Sequence, residues 1–378
     1  TWTGQMRDSS GVVIMENTLQ GLWEEGGGWR LEEEFRIGGL SEALAYQFGQ
    51  VGTLAVDSLG NIYVSDSQAQ EVRVFSPDAR HIRTVGRPGG GPGELALGAS
   101  VVLLTPGDTL LVPDVRNRRI NRFSPEGEIL EPGPLEPENG RHLRYNLTPN
   151  RRMAAQVRPL ARPGHPADSM DAIVEIETSG LMGDTLLKIP TGGLYQGPGI
   201  HYFTPEPWWN VTDSATVVFG MNNGFRIRFH DRTGALRRIV SMPLEPALIT
   251  DRDIRAFFAY LDRAWLNAGV PRSRLARNHE MVTFNETLPV FSAFHLGFEG
   301  SLWVQPVLSP GLLTDDEIER YNFIEEFGGP DWWIFDSEGR YLGIITMPDR
   351  FTPRLFLDDR IYGVARDELD VQYLVRLR

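Results

Sequence analysis

The chain has 378 residues, 41% hydrophobic and 23% charged, enough to bury a sizeable core. A net charge of −13 at pH 7 excludes a sequence-independent nucleic-acid binder, which needs a basic footprint to displace phosphate counterions. The absence of cysteine excludes disulfides, zinc–thiolate centres and cysteine nucleophiles together, and no apolar run reaches the ~18 residues of a membrane helix.

In chain order, residues 11–16 (GVVIME) read as an added outer strand or as a segment packed beneath the sheets. Residues 29–37 (WRLEEEFRI) alternate apolar and charged and are followed by Gly38-Gly39, so 29–39 is a strand without inner partners of its own. Residues 48–86 then hold four short apolar runs, Leu54-Ala55-Val56, Ile62-Tyr63-Val64, 72–75 and 81–85. Turn residues such as Asp57-Ser58-Leu59-Gly60-Asn61 separate them, which makes a meander of four strands. A shift of 48 residues restores the pattern, placing Val64 on Val112, Asp66 on Asp114 and Phe75 on Phe123. A four-stranded unit of this period is a propeller blade, which cannot bury both faces alone and so stacks in a ring.

Further units are expected at 93–134, 141–190, 200–243, 290–348 and 351–378. The last has three strands and no fourth, so the 29–39 strand is expected to complete it and close a six-bladed ring of four-stranded antiparallel blades. Two stretches break the pattern. Residues 250–277 carry Ile254, Phe257, Phe258, Leu261 and Trp265 on one helical face, with Thr250 and Asp253 as a capping box and Gly269 as the stop. Residues 314–327 open with Thr314 and Glu317 in the same way. In an antiparallel blade the four-to-one and two-to-three connections share one face. Both helical insertions, the Pro-rich 158–170 loop and the Gly-rich 86–94 linker fall there, so binding is expected on that face, over blades three to five.

The stretch GTLAVDSLGNIYVSD with EVRVFSPDARHIRTVG resembles an NHL-type propeller repeat, and Gly86 to Leu95 resembles the linker of six-bladed bacterial propellers, many of them secreted or lipid-anchored. The close match covers 48–135 and implies architecture more than activity. The chain begins Thr1-Trp2-Thr3 without Met or a signal-like segment. With the resemblance, this gives an expectation of a periplasmic or extracellular protein, a lipid anchor before Thr1 being one form of it.

Motifs for known chemistry are mostly absent. Residues 89–93 (GGGPG) lack the Gly-Lys-Ser/Thr of a phosphate loop, and His279-Glu280 lacks a second histidine at Thr283. No nucleophile elbow or EF-hand occurs. Related six-bladed lactonases and amidating lyases hold a metal in the central channel, so the resemblance implies a channel site as one alternative. The residues expected to line the channel are Glu94, His142, Arg144, His201, Asn210, His295 and Arg354. One carboxylate and two arginines make a poor cage for calcium, which wants several oxygens; no cofactor is expected unless that alternative holds, when it would be calcium or zinc. On the elaborated face the candidates are Trp208, Trp265, the basic Arg272, Arg274 and Arg277, and the acidic Asp315, Asp316 and Glu319, with Glu317, Glu325 and Glu326 nearby. One member of each tryptophan pair, 208–209 and 332–333, is expected in the core, because neighbours in a strand face opposite ways. The sequons at Asn146, Asn210 and Asn285 read as chance matches. The expectation is a non-catalytic interaction module with a protein partner, such as an accessory subunit on the exposed face of a membrane complex. A metal-dependent hydrolase or lyase is the alternative.

Overall fold

One turn recurs through the chain. In it, an Asp or Thr side chain accepts the N–H of the residue four places on: Asp57 from Asn61 at 2.8 Å, Thr148 from Arg152 and Thr212 from Thr216 at 3.0 Å, and Asp336 from Arg340 at 2.8 Å. The residue before that N–H has positive φ, which Gly60 (82°) and Gly339 (94°) adopt freely but Arg151 (62°) and Ala215 (61°) also occupy. These turns join strands one to two or three to four and set the strand lengths.

The computed structural model describes residues 1–24, 27–40, 43–96, 100–135, 140–160, 170–193, 200–323 and 327–378. It is a six-bladed β-propeller of four-stranded antiparallel blades. Blade one is Val51–Val56, Ile62–Asp66, Glu71–Phe75 and His81–Val85, and blade two is Leu103–Leu104, Leu110–Asp114, Arg119–Phe123 and Ile129–Pro134. Blade three is Arg141–Leu147, Met153–Arg158, Met170–Ile176 and Met182–Pro190. Blade four, Pro207–Val211, Val217–Met221, Arg226–His230 and Leu236–Ser241, starts later than the 200–243 unit read from the sequence. Blade five is Phe291–Leu296, Leu302–Pro306, Asp331–Phe335 and Tyr341–Thr346. Blade six takes Phe351–Leu357, Arg360–Arg366 and Gln372–Leu377 from the C-terminal region and Glu33–Gly38 from the N-terminal region, with Leu374 opposite Ile37.

Strand alternation sends successive side chains to opposite neighbours. Ile62 and Val64 pack toward blade six, while Tyr63 and Val74 pack toward blade two. Each of the six blade–blade junctions has its own buried cluster of this kind.

The N-terminal segment forms a belt around the rim. Gln5–Ser9 and Val12–Glu16 make a hairpin whose second strand adds in parallel to the outer strand of blade four, so residues 11–16 join the sheet edge. The chain then bonds to blade five through Trp23 N–H and the Leu342 carbonyl at 2.7 Å. Trp29 stacks on Trp303 with centroids 5.7 Å apart before the chain enters blade six. Asn17, 4% exposed, fastens the belt. It accepts from Tyr341 N–H and Trp2 Nε1 and donates to the Gly339 carbonyl.

The remaining structure is a lobe on the face opposite the recurrent turns. It contains helix α1 (Asp251–Asn267), helix α2 (Leu275–His279), helix α3 (Asp315–Arg320) and a parallel pair, Ile200–Tyr202 with Val282–Phe284. Helix α1 carries the expected Thr250–Asp253 capping box, and its C-cap Ala268 precedes Gly269 at φ 83°. Helix α3 is shorter than the 314–327 reading. Tyr321 turns extended (ψ 128°), which carries the chain on to Phe323 and Phe327 in the lobe's aromatic core. Residues 324–326, including Glu325 and Glu326, and the 161–169 part of the Pro-rich loop lie outside the described residues.

Asp253 joins the two insertions into one body. Its carboxylate caps α1 at Thr250 and also accepts from Ser309 Oγ and from Gly311 N–H at 2.8 Å. Burial works to raise this carboxyl, but the hydrogen bonds outweigh it and hold it below its ordinary value. Replacing Asp253 with Ala is expected to loosen the lobe and spare the ring. Trypsin cleavage at Arg272, Arg274 and Arg277 should become about tenfold faster, while the main thermal transition moves little. Limited proteolysis beside a melting curve checks both.

Candidate functional site

Two regions on the channel axis collect the polar side chains. The first is the channel toward the recurrent turns. Asn146 Nδ2 donates to Asn210 Oδ1 at 3.0 Å, Asn210 Nδ2 to the Phe294 carbonyl at 3.0 Å, and Val211 N–H to Asn146 Oδ1 at 3.2 Å. The two amides therefore tie the inner strands of blades three, four and five together. His295 lies flat on Phe356 with centroids 5.2 Å apart, and with Asn210 and Arg354 it lines a cavity of about 340 Å³. Burial, with the charges of Arg144 and Arg354, lowers His295 to about 4, so the imidazole is neutral at pH 7.

The second region is a cleft of about 380 Å³ between the inner strands of blades three to five and the lobe. Arg144 and Trp208 stand on its blade side, and Phe323 and Phe327 on its lobe side. The Arg144 guanidinium carbon sits 3.9 Å from the Trp208 ring centroid. Burial lowers Arg144 to about 10, which leaves it charged at pH 7; Glu206 works the other way. Below the cleft a buried polar chain crosses from blade four to blade three. Trp209 Nε1 donates to Gln156 Oε1 at 2.8 Å, and Gln156 Nε2 donates to Asp171 Oδ2 at 2.7 Å. Asp171, fully buried, holds Arg158 through both oxygens at 2.9 and 3.1 Å.

The structure brings Arg144, Asn210, His295 and Arg354 to the channel, and leaves three of the expected lining residues elsewhere. Glu94 belongs to the Gly-rich linker, not to an inner strand, and its carboxylate accepts from Gly91 N–H at 2.7 Å and Arg87 Nε at 3.1 Å. A bulge between His142 and Arg144 shifts the register there, and His142 lines neither cavity. Its Nδ1 meets the Tyr145 hydroxyl at 2.9 Å, and burial lowers its pKa. His201 pairs within the lobe, where its ring contacts Thr283, because the inner strand of blade four begins only at Pro207.

On the lobe, Trp265 is half-buried against His279, and Arg272, Arg274 and Arg277 are exposed. None of these three has an ion-pair partner among the described residues. Asp315 pairs with Arg252 at 2.9 Å, and Glu317 is taken up by its own helix cap. Asp316 and Glu319 are exposed. Of the tryptophan pairs, Trp209 and Trp332 are the buried members. Asn146, Glu206 and the Gln156–Asp171 chain are not found by reading the sequence for motifs. A signal for Asn146 was present: Asn146-x-Thr148 and Asn210-x-Thr212 place an amide two residues before the threonine of the recurrent turn, so these sequons mark the blade repeat.

Among the described residues no group of three or more His, Asp or Glu is placed to share a metal, and no helix is long and apolar enough to cross a membrane.

No family model matches the chain, and no curated protein does. Solved structures resemble it in fold. A Bacteroides fragilis protein described as exported superposes with a TM-score of 0.56 at 12% identity, over 97% of this chain and 99% of its own. A DUF4221 family member from Bacteroides vulgatus gives 0.52 at 10% identity, over 92% and 97%. The likeness is that of one six-bladed propeller to another.

Proposed function

We propose that the protein is an exported, non-catalytic propeller of NHL type that docks another protein through its lobe, as an accessory subunit of a membrane-attached complex. The observation that carries the reading is the row Arg272, Arg274 and Arg277, exposed and without ion-pair partners among the described residues, on a chain of net charge −13. Cations left uncompensated on an acidic molecule favour an acidic partner, steer it and fix its orientation. His279, at the end of α2, packs on Phe258 and Trp265 of α1 with ring centroids 4.1 and 5.8 Å away and anchors this segment to the lobe. Channel chemistry supports a non-catalytic role. Two guanidiniums, Arg144 and Arg354, stand about a neutral imidazole and two amides, which disfavours a cation at that point, while the carboxylates of Asp213, Glu299 and Asp358 line the His295 cavity.

The test is affinity capture from the cells that express the protein, comparing wild type with the triple variant Arg272→Glu, Arg274→Glu, Arg277→Glu. A stoichiometric partner should be held by wild type at low salt, released at high salt, and bound about tenfold or more weakly by the variant. A partner held equally by the variant overturns the docking surface. Stoichiometric calcium or zinc in the purified protein overturns the non-catalytic reading.

A further inference from the structure

We propose that the cleft between the lobe and blades three to five binds a small organic monoanion, an aryl carboxylate, with the carboxylate on Arg144 and the flat body against Trp208, Phe323 and Phe327. This goes beyond protein docking, which uses the outer surface of the lobe.

Arg144 sets the charge of the ligand. Its guanidinium has no hydrogen-bond partner among the described residues and instead lies on Trp208 in the wall of the cleft, with its N–H donors unused. A planar fork with free donors matches the two oxygens of a carboxylate. The other charges of the wall leave a modest cationic field. Arg158 is held by Asp171 through both carboxylate oxygens, Arg141 lines the cleft but is exposed, and Glu206 on the same wall offsets part of the field. Arg144, stacked on Trp208 beside the aromatic faces, is therefore the cation placed to seat the carboxylate of a flat ligand.

The walls set the body of the ligand. Tyr202, Phe203, Trp208, Phe323 and Phe327 give aromatic faces, and a volume of about 380 Å³ is that of a small-molecule site. An inorganic anion would leave those faces unused, whereas a fused aromatic ring would cover them. Glu206 is held in place from behind. Its backbone N–H donates to Asn222 Oδ1 at 2.7 Å, and Gly192 packs so closely on its carboxylate that a Cβ there would fall 1.7 Å from Oε2.

The probe pair is 2-naphthoate and its uncharged counterpart 2-naphthamide, titrated calorimetrically into the full chain at pH 7. Naphthoate should bind with one-to-one stoichiometry and the amide about tenfold more weakly. Arg144→Gln should erase that preference by weakening naphthoate about tenfold and leaving the amide unchanged. Glu206→Gln should shift naphthoate the other way, tightening it about threefold or more. Equal binding of the two probes, no binding of naphthoate up to its solubility limit, or an unchanged preference in Arg144→Gln overturns the proposal. Should Arg144→Gln fail to fold, Glu206→Gln decides, and the absence of tightening overturns it. Charge reversal at Arg272, Arg274 and Arg277 should leave naphthoate binding intact, so this site and the docking surface stand or fall separately.

Discussion

A chain lacking residues 1–38 should fail to give a stable ring, with its thermal midpoint lowered by about 10 °C or more and soluble yield lost at 37 °C. The deletion removes the fourth strand of blade six, whose register runs from Tyr373 opposite Gly38 to Leu377 opposite Glu33. Val375 and Leu377, each 1% exposed, would face water, and Glu34 would be lost from Arg360 and Arg376, which it meets at 3.0 and 2.5 Å. Lost burial and pairing together amount to on the order of 5–10 kcal/mol, comparable with the whole stability of an ordinary domain. The new free edge on Gln372–Leu377 would also template association between chains. A shorter cut, after Gly28, keeps the closing strand and should leave a folded protein that melts several degrees lower, for want of Asn17 and Trp23. Equal midpoints for both truncations would show that closure does not depend on this strand. Differential scanning calorimetry and size-exclusion chromatography distinguish these cases.

Replacing Asp171 with Ala should cost about 3 kcal/mol of unfolding free energy, among the largest effects of any single substitution in the protein. The carboxylate is fully buried and satisfies Arg158, Gln156 and Thr191 at once. Without it, Gln156 keeps only its bond from Trp209, and a buried amide donor is left bare. Arg158, whose side chain is 27% exposed, can turn toward the water of the cleft, which keeps the cost below that of a fully sealed pair. Asp171→Asn should lose less, because it retains an acceptor for Gln156 while giving up the charge opposite Arg158. Chemical denaturation of the two variants gives the ordering, and Asp171→Ala within about 0.5 kcal/mol of wild type would contradict this account.

The ring was legible in the sequence because its signal is local. Alternation in Ile62-Tyr63-Val64 and turn residues in Asp57-Ser58-Leu59-Gly60-Asn61 act over a few positions, and the 48-residue shift repeats them. Helix α1 was legible for the same reason, its apolar face and Thr250–Asp253 box lying within one segment. The site was not, because its geometry depends on register and on contacts between distant segments. A single bulge at blade three brings Arg144 to the axis and leaves His142 off both cavities. Glu94 and His201 stand near the starts of the expected 93–134 and 200–243 units, but blade two opens only at Leu103–Leu104 and residues 200–206 depart to the lobe. Asp253 could be read as a cap but not as the clamp on Ser309 and Gly311, since nothing in a capping box shows what else reaches the same carboxylate.

The belt also fixes the order in which the molecule can be completed. Asn17 is synthesised well before its partners Ser241, Gly339 and Tyr341, which lie 224, 322 and 324 residues further on. Blades one to three can form from nearby sequence as they are made, but Glu33–Gly38 has no partner until Gln372–Leu377 is synthesised. Until then this alternating strand is an open end held in reserve, and joining it closes a long loop. Loop-closure entropy grows only slowly with length, so the wait costs the finished fold little in free energy. It does make ring closure a pairing of strands far apart in sequence, a kind of contact that forms slowly. The charges of Glu33, Glu34 and Arg36 on this strand suit that interval, because a charged strand is a poor template for other unfinished chains.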